Sequence, residues 1–305
     1  MSPATKDFLQ LHFIVLLWGF TAILGVLISI PAVEIVFFRT LIASLALLLL
    51  LFLRKRKFRL GVVPISKMLL TGVLVASHWI LFFAAARVAT VSVCLAGLAT
   101  VTLWTSILEP LVTKRGIKFY EVILGLVIIG GLYVIFRFEF NHALGLGMAI
   151  LSAFLSSCFT VINGEFTKKH SGYMVTFYEM AGACLSTLLF FPAYSHFFNG
   201  PGESLNLSPL PLDWLWLAVL ALVCTVYAYS ASVELQKNLS AFTLNLTVNL
   251  EPVYGIILAM TFFKEAEKMT SGFYLGTVII LSAVLIYPVL VRWDKRRQLR
   301  VRKIQ

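Results

Sequence analysis

Ten stretches of this chain are apolar and long enough to cross a lipid bilayer, and that leaves few folds open to it. A helix spanning about 30 Å of hydrocarbon needs roughly 20 predominantly apolar residues. The stretches run over approximately 8–28, 32–53, 67–87, 91–112, 119–137, 143–166, 173–194, 213–234, 240–263 and 270–291. In hydrocarbon every backbone N–H and C=O must be satisfied internally, so segments of this length are expected as helices. Pro31 separates the first two. The run Arg54-Lys55-Arg56-Lys57, with Pro64, separates the next two, and 199–212 is the one long turn-rich loop. The first stretch reads as retained rather than as a cleaved signal: its apolar part is too long and no small-x-small site follows. The expected fold is an all-α membrane protein of ten transmembrane helices.

Composition excludes the alternatives. Apolar residues make up 60% of the 305 residues and charged residues 13%, against roughly 45–50% and about 25% in soluble domains. Disordered chains are poor in apolar residues, whereas mean hydropathy here is +0.93. The net charge of +11 could signal nucleic-acid binding, but its distribution argues otherwise. If the N-terminus is cytoplasmic, 20 of the 25 Lys and Arg fall in cytoplasmic segments or the C-terminal tail. Arg87, Arg137, Lys264 and Lys268 fall on the opposite face, and Arg39 lies inside the second span. Lys and Arg accumulate on the cytoplasmic side, so both termini are expected there and the 195–212 loop outside. The cell membrane, the bacterial inner membrane in particular, is the expected location. The four cysteines, Cys94, Cys158, Cys184 and Cys224, lie singly in apolar stretches and read as small core residues.

The two halves resemble each other weakly. Phe20-Thr21 recurs as Phe159-Thr160, 139 positions on. Phe37 and Ala43 recur as Phe177 and Ala183, 140 on, and Gly125 as Gly276, 151 on. The long loop supplies the drift. Chance similarity between apolar helices is the other explanation. Five spans per half is an odd number, so the copies, 1–139 and 140–305, would enter the membrane from opposite sides as an inverted repeat. Such halves can exchange conformations, which is the geometry of alternating access around a midplane site.

Trp18-Gly19, Phe38-Arg39, Glu251-Pro252 followed by Tyr254-Gly255, and Phe263-Lys264-Glu265 with Gly276 beyond form an ordered set. On these residues the chain resembles the EamA-type permeases of the drug/metabolite transporter superfamily, over roughly 8–291. The resemblance implies ten spans in two five-span repeats. It also implies transport of small organic metabolites, amino acids first, more often exported than imported. One departure stands out. Pro110 lies late in span four, after Glu109, and Lys114 matches Glu265, so the first-half motif is degenerate.

Ionisable groups inside a bilayer are costly and need a reason. Glu251 sits mid-span among Thr243, Asn245, Thr247 and Asn249, with Thr247 one turn earlier on the same face. Pro252 is expected to kink that helix and free the Val248 carbonyl. A polar, broken midspan is the form of a transporter site, with Glu251 as substrate contact or proton carrier. A hydrogen-bonded Glu tying two helices is the structural alternative. Arg39 and Glu179 occupy matching repeat positions with opposite charges, and Glu179, like Arg39, is a candidate substrate contact. Arg39 is a candidate for a substrate carboxylate, or for pairing with Glu34 or Glu251. His78, Trp79, Trp104, Tyr178 and Tyr227 are candidate cavity aromatics, since interfacial belts do not explain midspan rings. Each is also explicable by packing, and His78 by a structural hydrogen bond. Asn163 belongs to a polar stripe with Ser156, Ser157 and Thr160 that suits a site or close helix packing. Glu109, beside Lys114 and Arg115, reads as an interfacial salt bridge.

Taken together, these features point to a secondary transporter of small organic metabolites, as a monomer or homodimer in the bilayer, with proton coupling as one option. No GxxxxGK[ST] is present for nucleotide drive. No HExxH or GxSxG supports an intramembrane enzyme, and no soluble domain supports a receptor or scaffold. No cofactor, metal site or nucleic-acid partner is expected.

Overall fold

A computed structural model of the protein describes residues 3–55, 60–114, 116, 119–138, 140–197, 205–264 and 269–302. Among the described residues every regular element is helical. In chain order these are α1 (Pro3–Trp18), α2 (Thr21–Leu27), α3 (Ala32–Leu53), α4 (Val62–Val88), α5 (Val91–Leu98), α6 (Val101–Thr113) and α7 (Phe119–Phe138). After a 3₁₀ turn, Phe140–His142, come α8 (Ala143–Phe166), α9 (Gly172–Phe197) and α10 (Pro211–Ala218). A π-helical segment, Val219–Tyr229, leads into α11 (Ser230–Leu235). The chain ends with α12 (Ala241–Val248), α13 (Glu251–Phe263) and α14 (Ser271–Arg302). Eight helices, counting broken ones as single spans, are long and apolar enough to cross a membrane. Two more carry shorter apolar stretches, Ile123–Ile135 in α7 and Ser271–Ala283 in α14.

Several boundaries differ from the sequence expectation. Pro64 does not break the chain. It lies in the first turn of α4, where backbone N–H groups have no intrahelical partner to lose. The basic residues from Arg292 to Arg302 continue α14 rather than forming a separate tail. Arg56, Lys57, Arg59, Arg115, Lys118, Glu265, Lys268 and residues 198–204 of the long loop lie outside the described residues.

Pro252 also acts differently from expectation. The span does not bend at the proline; it stops. Asn249 and Leu250 form a two-residue break, and Pro252 stands in the first turn of α13. The same break occurs without proline at Ala99–Thr100, between α5 and α6. In both spans an 8-residue helix is followed by a 13-residue helix, 150 positions apart in the chain. Both start on a hydroxyl cap: Thr90 accepts from Val93 N, and Ser240 from Thr243 N, each at 3.1 Å. Both end on a lysine with positive φ, 56° at Lys114 and 44° at Lys264. Lys114 and Lys264 thus hold the same place after the two helix pairs, one residue off the Lys114–Glu265 match expected from the sequence.

The bundle is held by close helix crossings. α4 packs on α8 and α9, and α9 also packs on α3. Where α4 crosses α9 the backbones touch through two glycines. A Cβ on Gly72 would lie 2.3 Å from the Glu179 carbonyl oxygen, and one on Gly182 would lie 2.1 Å from the Leu69 carbonyl oxygen. Small residues permit this approach, the main attractive device between helices in lipid. α7 and α14 pack chiefly on each other, through Gly131 and Gly276.

One end of the bundle is tied by polar contacts. Arg87, expected at the end of the third span, lies in the last turn of α4. It donates to Gly25 O (3.0 and 2.7 Å) and Ile28 O (2.6 Å), satisfying the C-terminal carbonyls of α2. Asp213 accepts from Ser29 N (2.9 Å), Ser29 Oγ (2.5 Å) and Leu210 N (2.9 Å). Glu34, buried, accepts from Asn206 N at 3.2 Å.

Candidate functional site

A cavity of about 70 Å³ lies between α1, α2, α3, α4, α5, α6, α8, the π segment, α11, α12 and α13. It runs from Phe82 and Leu98 at mid-bundle to Gln236 and Leu244 near the end opposite the Arg87 contacts. On a scale of roughly 10–15 Å³ per water, it has room for several waters or a small solute. Its wall is largely aromatic, with Trp18, Trp79, Phe82, Phe159 and Tyr229, and contains one cation, Arg39, and one carboxylate, Glu251.

Arg39 is held by side chains, not by a carboxylate. Its Nε donates to Thr225 Oγ1 at 2.8 Å, and its guanidinium lies 3.7 Å from the Trp79 ring centroid. Stacking on an indole face is favourable for a planar guanidinium. The π segment explains the Thr225 position: its hydroxyl reaches back five residues to Leu220 O at 2.8 Å, leaving the oxygen as acceptor for Arg39. π segments inside α-helices recur at functional sites. No described residue accepts from Nη1 or Nη2, so the outer edge of the guanidinium is free within the cavity. The pairings considered for Arg39 with Glu34 and Glu251 are not formed. Glu34 serves the Asn206 backbone instead.

Glu251 opens α13, at the positive end of the half-helix. It faces Arg39 without forming an ion pair. Thr21 stands beside the carboxyl and donates its own hydrogen to Trp18 O at 2.7 Å. The break in the helix is what points this side chain into the cavity.

The His78 ring is fixed by Ser152. Nδ1 lies 2.9 Å from Ser152 O and 2.7 Å from Ser152 Oγ. The Ser152 hydroxyl in turn donates to His78 O at 2.9 Å. Nε2 has no described partner, and His78 lines the cavity. Both readings of His78 thus hold: it is structurally bonded and part of the wall.

Six expected residues line the cavity: Arg39, His78, Trp79, Asn163, Asn245 and Glu251. The other six do not. Tyr227 points outward, 38% exposed, against Phe13; Tyr229, two residues on, is the cavity tyrosine. Asn249 is buried and donates to Thr102 Oγ1. Asn245 Nδ2 likewise donates to Thr105 Oγ1 at 2.7 Å. The two asparagines therefore stitch the broken turns of spans four and nine together. Thr247 bonds back to Thr243 O at 3.0 Å. Trp104 packs edge-on against Phe154, and Tyr178 against Phe177. Glu179 is fully buried behind the wall, bonded to Tyr229 and Asn163. Sequence reasoning missed Thr21 and Gln236. Both are polar groups at helix breaks or ends, where hydropathy assigns no face.

The family model for the EamA-like transporter family matches residues 9–137 and 143–287. A solved structure titled only as the crystal structure of a protein is 16% identical, with a TM-score of 0.65. It covers 94% of this chain and 98% of its own, so the likeness shows a shared fold. No curated protein matches.

Proposed function

The chain belongs to the EamA-like transporter family, a family of membrane transporters rather than enzymes, and from that premise we propose that it moves small zwitterionic metabolites, amino acids first, across the membrane. One observation carries this reading. A single cavity holds one cation and one carboxylate, each with unused hydrogen-bonding capacity and not paired with each other. A solute carboxylate suits the free Nη edge of Arg39, and a solute ammonium suits Glu251. Aromatic walls and the unpartnered His78 Nε2 would bind the remainder. Ten crossings in two inverted halves, 1–139 and 140–305, with both termini cytoplasmic, are the architecture we infer. The repeated break in spans four and nine supports it. The cavity approaches the end of the bundle rich in Lys and Arg, while the Arg87, Asp213 and Glu34 contacts close the other end. Alternating access would open that closed end to release solute outward, with Glu251 a candidate to carry the coupled proton.

Binding tests this reading. Arg39→Lys keeps the charge but loses the planar fork and the Trp79 stack. Half-saturation for labelled amino-acid uptake in proteoliposomes should rise roughly tenfold, about 1.4 kcal/mol. Unchanged half-saturation would remove Arg39 from the site. If no amino acid is counterflowed or shifts the melting temperature of the purified protein, the substrate class is wrong.

Orientation has a separate test. In a background without native cysteines, Ser208→Cys and Lys55→Cys place thiols at exposed positions at the two ends. A membrane-impermeant maleimide should label Ser208→Cys in intact cells and Lys55→Cys only after permeabilisation. The reverse pattern would invert the topology.

A further inference from the structure

Glu179 is a carboxyl group for which the solute site has no use. It lies on α9 with no exposed surface. Among the described residues no cation pairs with it. Both of its contacts go to one oxygen: Oε2 lies 3.0 Å from Tyr229 Oη and 3.3 Å from Asn163 Nδ2. Asn163 Nδ2 is also 3.2 Å from Tyr229 Oη, closing the triangle. Oε1 has no hydrogen-bond partner. An ionised carboxylate this deep would leave Oε1 bare of donors and uncompensated by charge, an arrangement folded proteins avoid. Tyr229 and Asn163, by contrast, belong to the cavity wall. Their polar atoms are the only described contacts between this carboxyl group and the space where solute and water meet.

We propose that Glu179 is a proton site loaded from the cavity through the Tyr229 hydroxyl, and that its proton is exchanged against solute during transport. The transfer balances as follows. A protonated cavity water gives its proton to Tyr229 Oη while the tyrosine's own hydrogen passes to Glu179 Oε2. The water becomes neutral, the tyrosine is unchanged, and the carboxylate becomes a carboxylic acid. Release is the reverse, into water. No oxidant or cofactor is needed. Tyr229 is the titratable group in contact with Glu179, and Arg39 faces Tyr229 from the cavity side. Among the described residues, α3, α4 and α11, which also pack on α9, bring no charged side chain into contact with Glu179; Glu234 of α11 meets α9 at Gly172 N instead. The location ties the proton to movement. Glu179 sits where α9 crosses α4 backbone to backbone at Gly72. Ionisation there leaves Oε1 without a described donor, so departure of the proton favours opening of the wall at Tyr229 to water.

Transport itself is presupposed here, but a coupling role for Glu251 is not. The purified full chain is reconstituted with a pH-sensitive dye inside the vesicles and labelled amino-acid hydrolysate as the solute. Wild type should couple solute flux to proton flux. In Glu179→Gln, counterflow should persist while proton flux per solute falls to background. Tyr229→Phe keeps its ring packing against Trp79 and Phe159; the quantity read for it is the proton-to-solute ratio alone, which should fall to background with Glu179 intact whether or not solute flux itself changes. If Glu179→Gln fails to fold, Tyr229→Phe alone decides. A wild-type proton-to-solute ratio in either variant overturns the relay. So does a Glu179→Gln protein that melts normally but has lost counterflow, since that would be a role in solute passage. Wild-type counterflow without proton flux overturns the relay and leaves transport standing. Absent wild-type counterflow overturns both.

Discussion

Glu251→Gln should reduce amino-acid counterflow at least roughly thirtyfold, because removing one partner of a buried charge contact costs 2 kcal/mol or more. The substitution keeps the shape of the side chain and removes only its charge. Glu251 makes no ion pair with a described residue, so the folded protein loses no salt bridge. Its helix position is secured by other residues: Pro252 in the first turn and the Asn249–Thr102 and Asn245–Thr105 contacts behind it. The melting temperature of the purified variant should therefore stay near that of wild type. Loss of activity with retained stability is the signature of a group kept for the solute. Wild-type counterflow in the variant would return Glu251 to a purely structural role. A large drop in melting temperature together with activity would do the same.

Gly182→Val should have the largest effect on folding. The missing Cβ at this position would lie 2.1 Å from the Leu69 carbonyl oxygen and 2.7 Å from the Leu69 Cα. Those atoms are backbone, so no rotamer change relieves the clash. α4 and α9 would have to separate along a crossing that also carries Gly72 against Glu179 O and Ala183 N. Overpacking a core costs 1–3 kcal/mol where side chains can shift, so about 3 kcal/mol or more is expected here. The readout is the yield of monodisperse protein in detergent and its melting temperature. Gly130→Ala is the matched control, since a Cβ there meets nothing within 4 Å. Its stability should hold or rise slightly, as glycine is about 0.5–1 kcal/mol worse than alanine in a helix interior. Similar behaviour of the two variants would refute the close crossing.

Two of the expected residues that line the cavity carry a signal that is local. Arg39 and Glu251 are ionisable groups in apolar runs, and the cost of burying charge marks them without any knowledge of neighbours. Tyr227 and Tyr229 show where that reasoning ends. Both are midspan tyrosines, two residues apart. Which one faces the cavity depends on the phase of the helix, and the π segment from Val219 to Tyr229 shifts that phase in a way hydropathy does not record. Asn245 and Asn249 show a second limit. Their polarity suggested a solute site, but the hydroxyls that occupy them, Thr105 and Thr102, are about half a chain away. Glu179 shows a third. It was marked for its charge, but only the packing reveals that it stands behind Tyr229 rather than in the cavity.

By itself, the sequence determined that this chain is helical and membrane-spanning, approximately where each crossing begins and ends, and which few ionisable groups lie within them. Transfer from water to hydrocarbon adds up along the chain, so the amino-acid order suffices for that. Only the tertiary structure decided that spans four and nine are each broken in two, that Arg39 stacks on Trp79, and that one cavity collects side chains from spans far apart in the chain. These depend on helix phase, on backbones approaching through Gly72 and Gly182, and on which donor meets which acceptor across the bundle. Such choices are pairwise and long-range, and no window of sequence contains both partners.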